Sequence, residues 1–247
     1  MQKIAILAGT FNPVHLGHLQ IATMALAQLQ LQRVLWAPIR YPFHKLQQQQ
    51  QSPNAPFSSP ISFEQRLKMV SLAISNQPSF ELCLSRSGNP ADSYASYGYA
   101  SYGYASYAID MLQALQPIYP QSQWYWLIGQ DALQSLPRWK GRAELAATCC
   151  WLVAPRPPII QGEQGQVRQP DLAQAQAEAD CKQVEQTMFS QAIPIRWQIL
   201  QMPPAPISSS LVRLRRQQGA SIQGLVPDCV EQYILAHRIY ESCYESL

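Results

Sequence analysis

Residues 4–19 read IAILAGTFNPVHLGHL: an apolar run closed by Gly9, then a turn through Pro13 into a segment holding His15, Gly17 and His18. The run has the length and the branched apolar content of a buried strand, and Leu16 to Leu29 has helical character. The junction is therefore read as strand, turn, helix. Gly9 directly follows the strand, where a side chain would obstruct close approach of a ligand to the backbone. The free N–H groups and the dipole of the helix start attract anions. His15 and His18, at i and i+3, share one face of the first turn. Three readings compete for the pair: a metal site, a packed helix start and a phosphate cradle. The metal reading needs a third ligand, and no nearby Glu or Cys stands at a recognisable zinc spacing. A helix start would explain either histidine alone. The coincidence of Gly, Thr, Pro and His at one strand-to-helix turn favours the cradle.

The rest of the chain repeats the alternation. KIAILAG, RVLWAP, SFELCL, QWYWLIG, CCWLVA and IRWQILQ are short apolar runs suited to buried strands. Between them lie LGHLQIATMALAQLQ, SFEQRLKMVSLAI, SYAIDMLQALQ and a Gln/Ala/Glu stretch near residues 172–190, all helical in character. Strand and helix in turn predict an α/β fold whose parallel sheet binds ligands at the carboxyl ends of its strands. Two stretches interrupt the pattern. Residues 44–60, HKLQQQQQSPNAPFSSP, are polar and proline-rich and predict a flexible loop, as does the region 88–105 with its two identical SYGYA units. We expect one domain over residues 1–247, with flexible loops at 46–60 and 88–105.

With 247 residues, 47% of them hydrophobic, the chain can bury a substantial core. The net charge is +3, from 18 basic and 15 acidic residues, and charged residues make up 13% against the usual roughly 25%. This balance argues against a nucleic-acid partner and leaves local phosphate binding open. The six cysteines form no C-x-x-C pair, which suits reduced, structural thiols. The sequence has neither a secretory leader pattern nor an apolar run of membrane-span length. A soluble cytoplasmic protein without a membrane partner is expected, and self-association into a homo-oligomer stays open.

The opening string closely resembles the G-x-F-x-P-x-H-x-G-H signature of the nucleotidyltransferases related to class I aminoacyl-tRNA synthetases. A second signature, ISSSLVR at 207–213, resembles their I-S-S-T-x-x-R, with Ser210 in place of Thr. Further matches run along nearly the whole chain and single out the bacterial nicotinate-nucleotide adenylyltransferases. WLIGQDALQSLPRW resembles I-G-x-D-x-L-x-x-L-P-x-W, PIRYPFHK resembles P-x-x-x-P-P-H-K, SYAIDML resembles S-Y-T-I-D-T-L, and LVPDCVEQYILAHRIY resembles L-V-P-x-x-V-x-x-Y-I-x-x-x-x-L-Y. The resemblance implies a Rossmann-like nucleotidyltransferase fold, with helices on both faces of a parallel sheet and a C-terminal helical segment.

It also implies transfer of AMP from ATP to nicotinate mononucleotide, giving nicotinate adenine dinucleotide and pyrophosphate in NAD biosynthesis. By the same resemblance, ATP would meet Gly9, Thr10, Phe11, His15, His18, Gly129, Asp131, Ser208, Ser209, Ser210 and Arg213, with Asp131 accepting from ribose hydroxyls. Catalytic charge stabilisation would fall to His15, His18, Lys45 and Arg213. Nicotinate mononucleotide would meet Asn12, His44, Lys45, Trp139 and the backbone N–H groups of Ala108 and Lys140. An aromatic face suits a flat cationic ring, and donors at a helix start suit its carboxylate. Mg2+ is expected, bound mainly through ATP phosphates, with no metal site made by the protein itself. Three positions depart from the family pattern: Asn12 replaces the more usual Asp, Phe43 a Pro, and Ala108 a Thr. The tyrosine-rich duplication just before Ala108 interrupts the alignment there. Phosphopantetheine adenylyltransferase is the nearest rival, to which ISSSLV is equally suited; the extra length and GQDALQSLPRW argue against it. A nucleotide-binding regulator that has kept the fold is the rival from another class.

Overall fold

All six apolar runs form strands of a single parallel sheet. The computed structural model describes residues 1–39, 61–83, 108–156, 160–162, 165–167, 170–203 and 206–241. Its strands are β1 (Gln2–Gly9), β2 (Arg33–Pro38), β3 (Phe80–Leu82), β4 (Ser122–Gly129), β5 (Cys149–Ala154), β6 (Ile160–Gly162), β7 (Gly165–Val167) and β8 (Arg196–Ile199). The sheet runs in the order β3-β2-β1-β4-β5-β8, and every neighbouring pair is parallel. β6 and β7 form a separate antiparallel pair.

The helices are α1 (Leu16–Leu29), α2 (Phe63–Ile74), α3 (Ala108–Leu115), α4 (Gln130–Leu133), α5 (Arg142–Thr148), α6 (Pro170–Phe189), α7 (Ser209–Gln217) and α8 (Asp228–Ala236), with a 3₁₀ turn at Leu136–Arg138. Side-chain alternation along each strand divides the core into two. Ala5, Leu7, Val34, Trp36 and Leu127 face α1, α2, α7 and α8, where they meet Ala22, Ala25, Val70, Val212 and Ile234. Ile4, Ile6, Leu35, Trp126 and Trp151 face the other way, toward Leu112 of α3, Leu145 of α5 and Val184 of α6. A sheet covered on both faces must be apolar on both, which is why all six residues of β5 are buried. β8 lies at the edge and its exposure alternates.

Strand order reverses between β1 and β4. These strands pair in register with Leu7 opposite Leu127, so two residues further on both end at glycine, Gly9 and Gly129. Helix crossovers leave β1 in one direction and β4 in the other, opening a crevice at the carboxyl ends, where ligands of open α/β sheets bind. The β6–β7 pair and α5 are elements that apolar periodicity did not reveal. His44, Lys45, Phe43, the 46–60 and 88–105 loops and the SYGYA repeat lie outside the described residues. No helix among the described residues is long and apolar enough to cross a membrane.

Candidate active site

The turn after β1 is built around two rings. A Cβ on Gly9 would lie 3.1 Å from the Phe11 ring, so this glycine makes room for Phe11 rather than for open space. Phe11 adopts a left-handed φ of 47°, is 2% exposed, and packs at 5.5 Å on Trp36 and edge-on at 5.0 Å to His18. Its ring is therefore a core group, and ATP can reach this residue only through its backbone. The same logic explains Gly17: a Cβ there would come within 3.0 Å of the His15 ring, which lies across the first turn of α1. His15 is the N-cap, and its ring centroid is 3.7 Å from that of His18.

The two imidazoles differ in state. His15 is 8% exposed and its Nδ1 is buried without a hydrogen-bond partner. Burial, then the nearby positive charge of Arg156, lowers its pKa to about 4, so it is neutral at neutral pH. His18 is half-buried, and its Nδ1 accepts from the backbone N–H of His15 at 3.2 Å. The neutral tautomer of His18 therefore carries its proton on Nε2.

The second motif docks directly on the first. Ser208 caps α7 by accepting from Leu211 N–H at 3.2 Å, and Ser209 Oγ donates to the Pro13 carbonyl at 2.8 Å. Arg213 donates to the Asn12 carbonyl at 2.8 Å and to Ser210 Oγ at 3.2 Å. Contacts 196 and 201 residues apart in sequence thus place the start of α7 against the start of α1. Two readings change in detail. Ser209 spends its hydroxyl proton on the Pro13 carbonyl, whereas Ser208 Oγ accepts from Leu211 N–H and keeps its own proton to donate. The Asn12 Oδ1 accepts from the Tyr240 hydroxyl at 2.6 Å, so a ligand would meet this side chain through its amide nitrogen.

On the β4 side, Gly129 caps α4 and a Cβ there would meet nothing within 4 Å, so the crevice is open beside it. Asp131 stands exposed and is ion-paired with Arg156, which follows β5. Such a surface pair is worth about 0–1 kcal/mol. Beneath it, Arg156 N–H donates to Gln130 Oε1 at 3.0 Å, and Gln130 donates to buried Asp180 at 2.6 Å. Gln134 also donates to Asp180 at 3.3 Å, fixing the end of α4 to α6, and Gln176 donates to it from within α6 at 3.0 Å.

Trp139 and Ala108 pack against the same core cluster, and Lys140 directly follows Trp139. Trp139 Nε1 donates to Ser135 Oγ at 2.8 Å, and its half-buried ring stands edge-on to Trp126 and Trp151 at 6.2 and 5.8 Å. It is both a partly exposed aromatic and a member of the core. Gly141 has φ 67°, and a Cβ on it would lie 2.6 Å from Ile109. That contact brings the Lys140–Gly141 backbone against the first turn of α3, where Ala108 begins the helix.

Three residues of the site were not singled out in the sequence. Arg66 is 4% exposed and donates to the Thr10 and Ile39 carbonyls at 2.5 and 2.8 Å, tying together the turns after β1 and β2. A cation on the apolar stripe Phe63, Leu67, Val70 and Ile74 of α2 was its available signal. Arg156 is a cation two residues beyond the carboxyl end of β5. Tyr240 closes the LVPDCVEQYILAHRIY match, but nothing in that segment pointed to Asn12. No group of three or more His, Cys, Asp or Glu suited to a metal occurs among the described residues.

Residues 6–215 match the cytidylyltransferase-like family. The chain is 37% identical over 240 residues to a probable nicotinate-nucleotide adenylyltransferase of Nostoc sp., covering 97% of this chain and 98% of that one. It is 40% identical over 242 residues to a probable nicotinate-nucleotide adenylyltransferase of a Synechococcus strain, covering 97% of each. Its fold is similar to that of Plasmodium falciparum nicotinic acid mononucleotide adenylyltransferase complexed with NaAD, with TM-score 0.63, 14% identity, and coverage of 97% of this chain and 98% of that one. With both signatures joined at the crevice between β1 and β4, the chain belongs to the nicotinate-nucleotide adenylyltransferase family of cytidylyltransferase-like enzymes.

Proposed function

We propose that the protein transfers the adenylyl group of ATP to nicotinate mononucleotide, releasing pyrophosphate. The observation that carries this reading is the docking of Ser209 and Arg213 on Pro13 and Asn12. It sets two helix N-termini, two imidazoles and a guanidinium around one point at the carboxyl end of β1.

An oxygen of the mononucleotide 5′-phosphate attacks the α-phosphorus of ATP in line. The new O–P bond forms as the bond to the β-phosphate oxygen breaks, and the pyrophosphate leaves with that electron pair. The attacking phosphate is ionised near neutral pH, so no strong general base is required. Catalysis then consists of positioning and charge stabilisation. His18 donates from Nε2, the start of α7 and Arg213 hold phosphate oxygens, and Lys45 adds a cation. His15, neutral in its buried site, acts as a hydrogen-bond donor rather than as a charge. Trp139 stacks on the pyridine ring while the Ala108 and Lys140 N–H groups receive its carboxylate. Gly129 and Asp131 take the adenosine.

This donor set of imidazole, guanidinium, hydroxyl and N–H fits a magnesium–triphosphate whose ion is carried by the phosphates rather than by protein ligands. Magnesium so bound would neutralise charge on the departing pyrophosphate. The test is pyrophosphate release from ATP and magnesium with nicotinate mononucleotide, nicotinamide mononucleotide or phosphopantetheine as acceptor. Release with nicotinate mononucleotide supports the reading. ATP binding without turnover on any acceptor would make the protein a regulator.

A further inference from the structure

The turn after β1 is held by donors from distant parts of the chain. Arg66 takes the Thr10 carbonyl, Arg213 the Asn12 carbonyl and Ser209 the Pro13 carbonyl. All three bonds act on backbone. The Asn12 side chain has a separate partner, the hydroxyl of Tyr240, 228 residues away in sequence. We propose that Tyr240 is a positioning residue for the reaction, acting through Asn12: its hydroxyl orients the Asn12 amide, so that Nδ2 faces the phosphates and the turn delivering His15 and His18 stays in register. The proposal rests on the adenylyl-transfer reading above.

Tyr240 is itself fixed. It is 5% exposed and adopts a left-handed φ of 66°, a strained conformation that persists in a non-glycine residue only where its surroundings impose it. On one side, Ile239 is 4% exposed and its N–H donates to the Ile234 carbonyl at 3.0 Å. On the other, Glu241 accepts from Arg216 at 2.6 Å. Arg216 lies one turn beyond Arg213 on α7. One helix therefore anchors the neighbour of Tyr240 and holds the Asn12 carbonyl, so both polar groups of Asn12 are set by a single unit. Burial raises the Tyr240 phenol above its ordinary range while Arg213 and Arg66 pull it the other way, so the hydroxyl keeps its proton and remains a donor. A hydroxyl that donates to Oδ1 leaves Nδ2 as the donor of the amide. Phosphate oxygens need donors, and an amide turned over would offer them an acceptor.

The experiment is a double-mutant cycle of Tyr240→Phe and Asn12→Ala, reading kcat, KM for ATP and for nicotinate mononucleotide, and melting temperature. Tyr240→Phe is expected to lower kcat about tenfold, the rate equivalent of one hydrogen bond, with both KM values little changed. In the Asn12→Ala background the same substitution should change kcat by less than about twofold, because its partner is already gone. An equal loss in both backgrounds overturns the proposal, as does a fall in melting temperature with kcat unchanged. Should Tyr240→Phe fail to fold, Asn12→Ala, which leaves the Tyr240 packing in place, must show the kcat loss alone or the proposal is wrong. Absence of turnover in the wild-type protein would instead reject the adenylyl-transfer reading. The cycle read in melting temperature still decides the contact: additive losses refute it, and coupled losses support it.

Discussion

His18 and His15 are three residues apart, yet their surroundings give them different tasks. The half-buried His18 offers Nε2–H to a developing negative charge, so His18→Ala should fold normally and lose turnover by about 100- to 1,000-fold. Steady-state kinetics beside a thermal melt check this, and near wild-type turnover would remove His18 from the mechanism. His15 predicts a pH effect on stability instead. Its pKa is about 4 folded against 6.5 for an ordinary imidazole, so the unfolded chain binds more protons between these values. Stability is therefore fully present above pH 6.5 and is lost as pH falls toward 4. The loss amounts to about 3 kcal/mol. Denaturant titrations across this range should show a shallower acid loss in His15→Gln than in the wild type. Arg213 uses two nitrogens at once, one on the Asn12 carbonyl and one on Ser210 Oγ. An ammonium cannot reproduce that fork, so Arg213→Lys should lower kcat/KM for ATP by about tenfold or more despite the retained charge. Kinetic constants equal to those of the wild type would reduce Arg213 to a surface charge.

The turn between the 3₁₀ segment and α5 shows how an element, rather than a side chain, can shape a substrate site. Gly141→Ala would place a methyl 2.6 Å from Ile109 at φ 67°, forcing α3 away from the Lys140 backbone. We expect a stability loss of about 1–3 kcal/mol and a KM rise for the mononucleotide that exceeds the rise for ATP. Parallel rises for both substrates would place the damage in the fold alone. The six sheet strands were legible because strands buried on both faces are continuously apolar, as in RVLWAP and CCWLVA. The short β6–β7 pair and α5 lacked that signal. In the site, local motifs indicated which residues meet, but not which way they turn. Phe11 lies within a phosphate-binding signature, yet its ring fills the space that Gly9 vacates. Ser209 turns its hydroxyl proton to the Pro13 carbonyl, while Ser208 accepts from α7 and keeps its proton. Arg66 stands out as a cation on an apolar stripe and Tyr240 ends a motif match, but they reach the turn from 56 and 228 residues away, so no local pattern could show what they hold.

At the scale of the whole molecule, function depends on chain order. The first motif leaves β1, Gly129 and Asp131 leave β4, and the reversal of strand order between them opens one crevice for both. The second motif closes the crevice from α7, near the opposite end of the chain. The adenylyl-transfer reading requires the α-phosphate of ATP, not its γ-phosphate, to meet the mononucleotide. The direct test is to supply ATP radiolabelled at the α-phosphorus, with magnesium and nicotinate mononucleotide, and to separate the products. All consumed label should appear in nicotinate adenine dinucleotide and none in pyrophosphate; label remaining in an adenosine nucleotide while the mononucleotide gains an unlabelled phosphate would contradict adenylyl transfer.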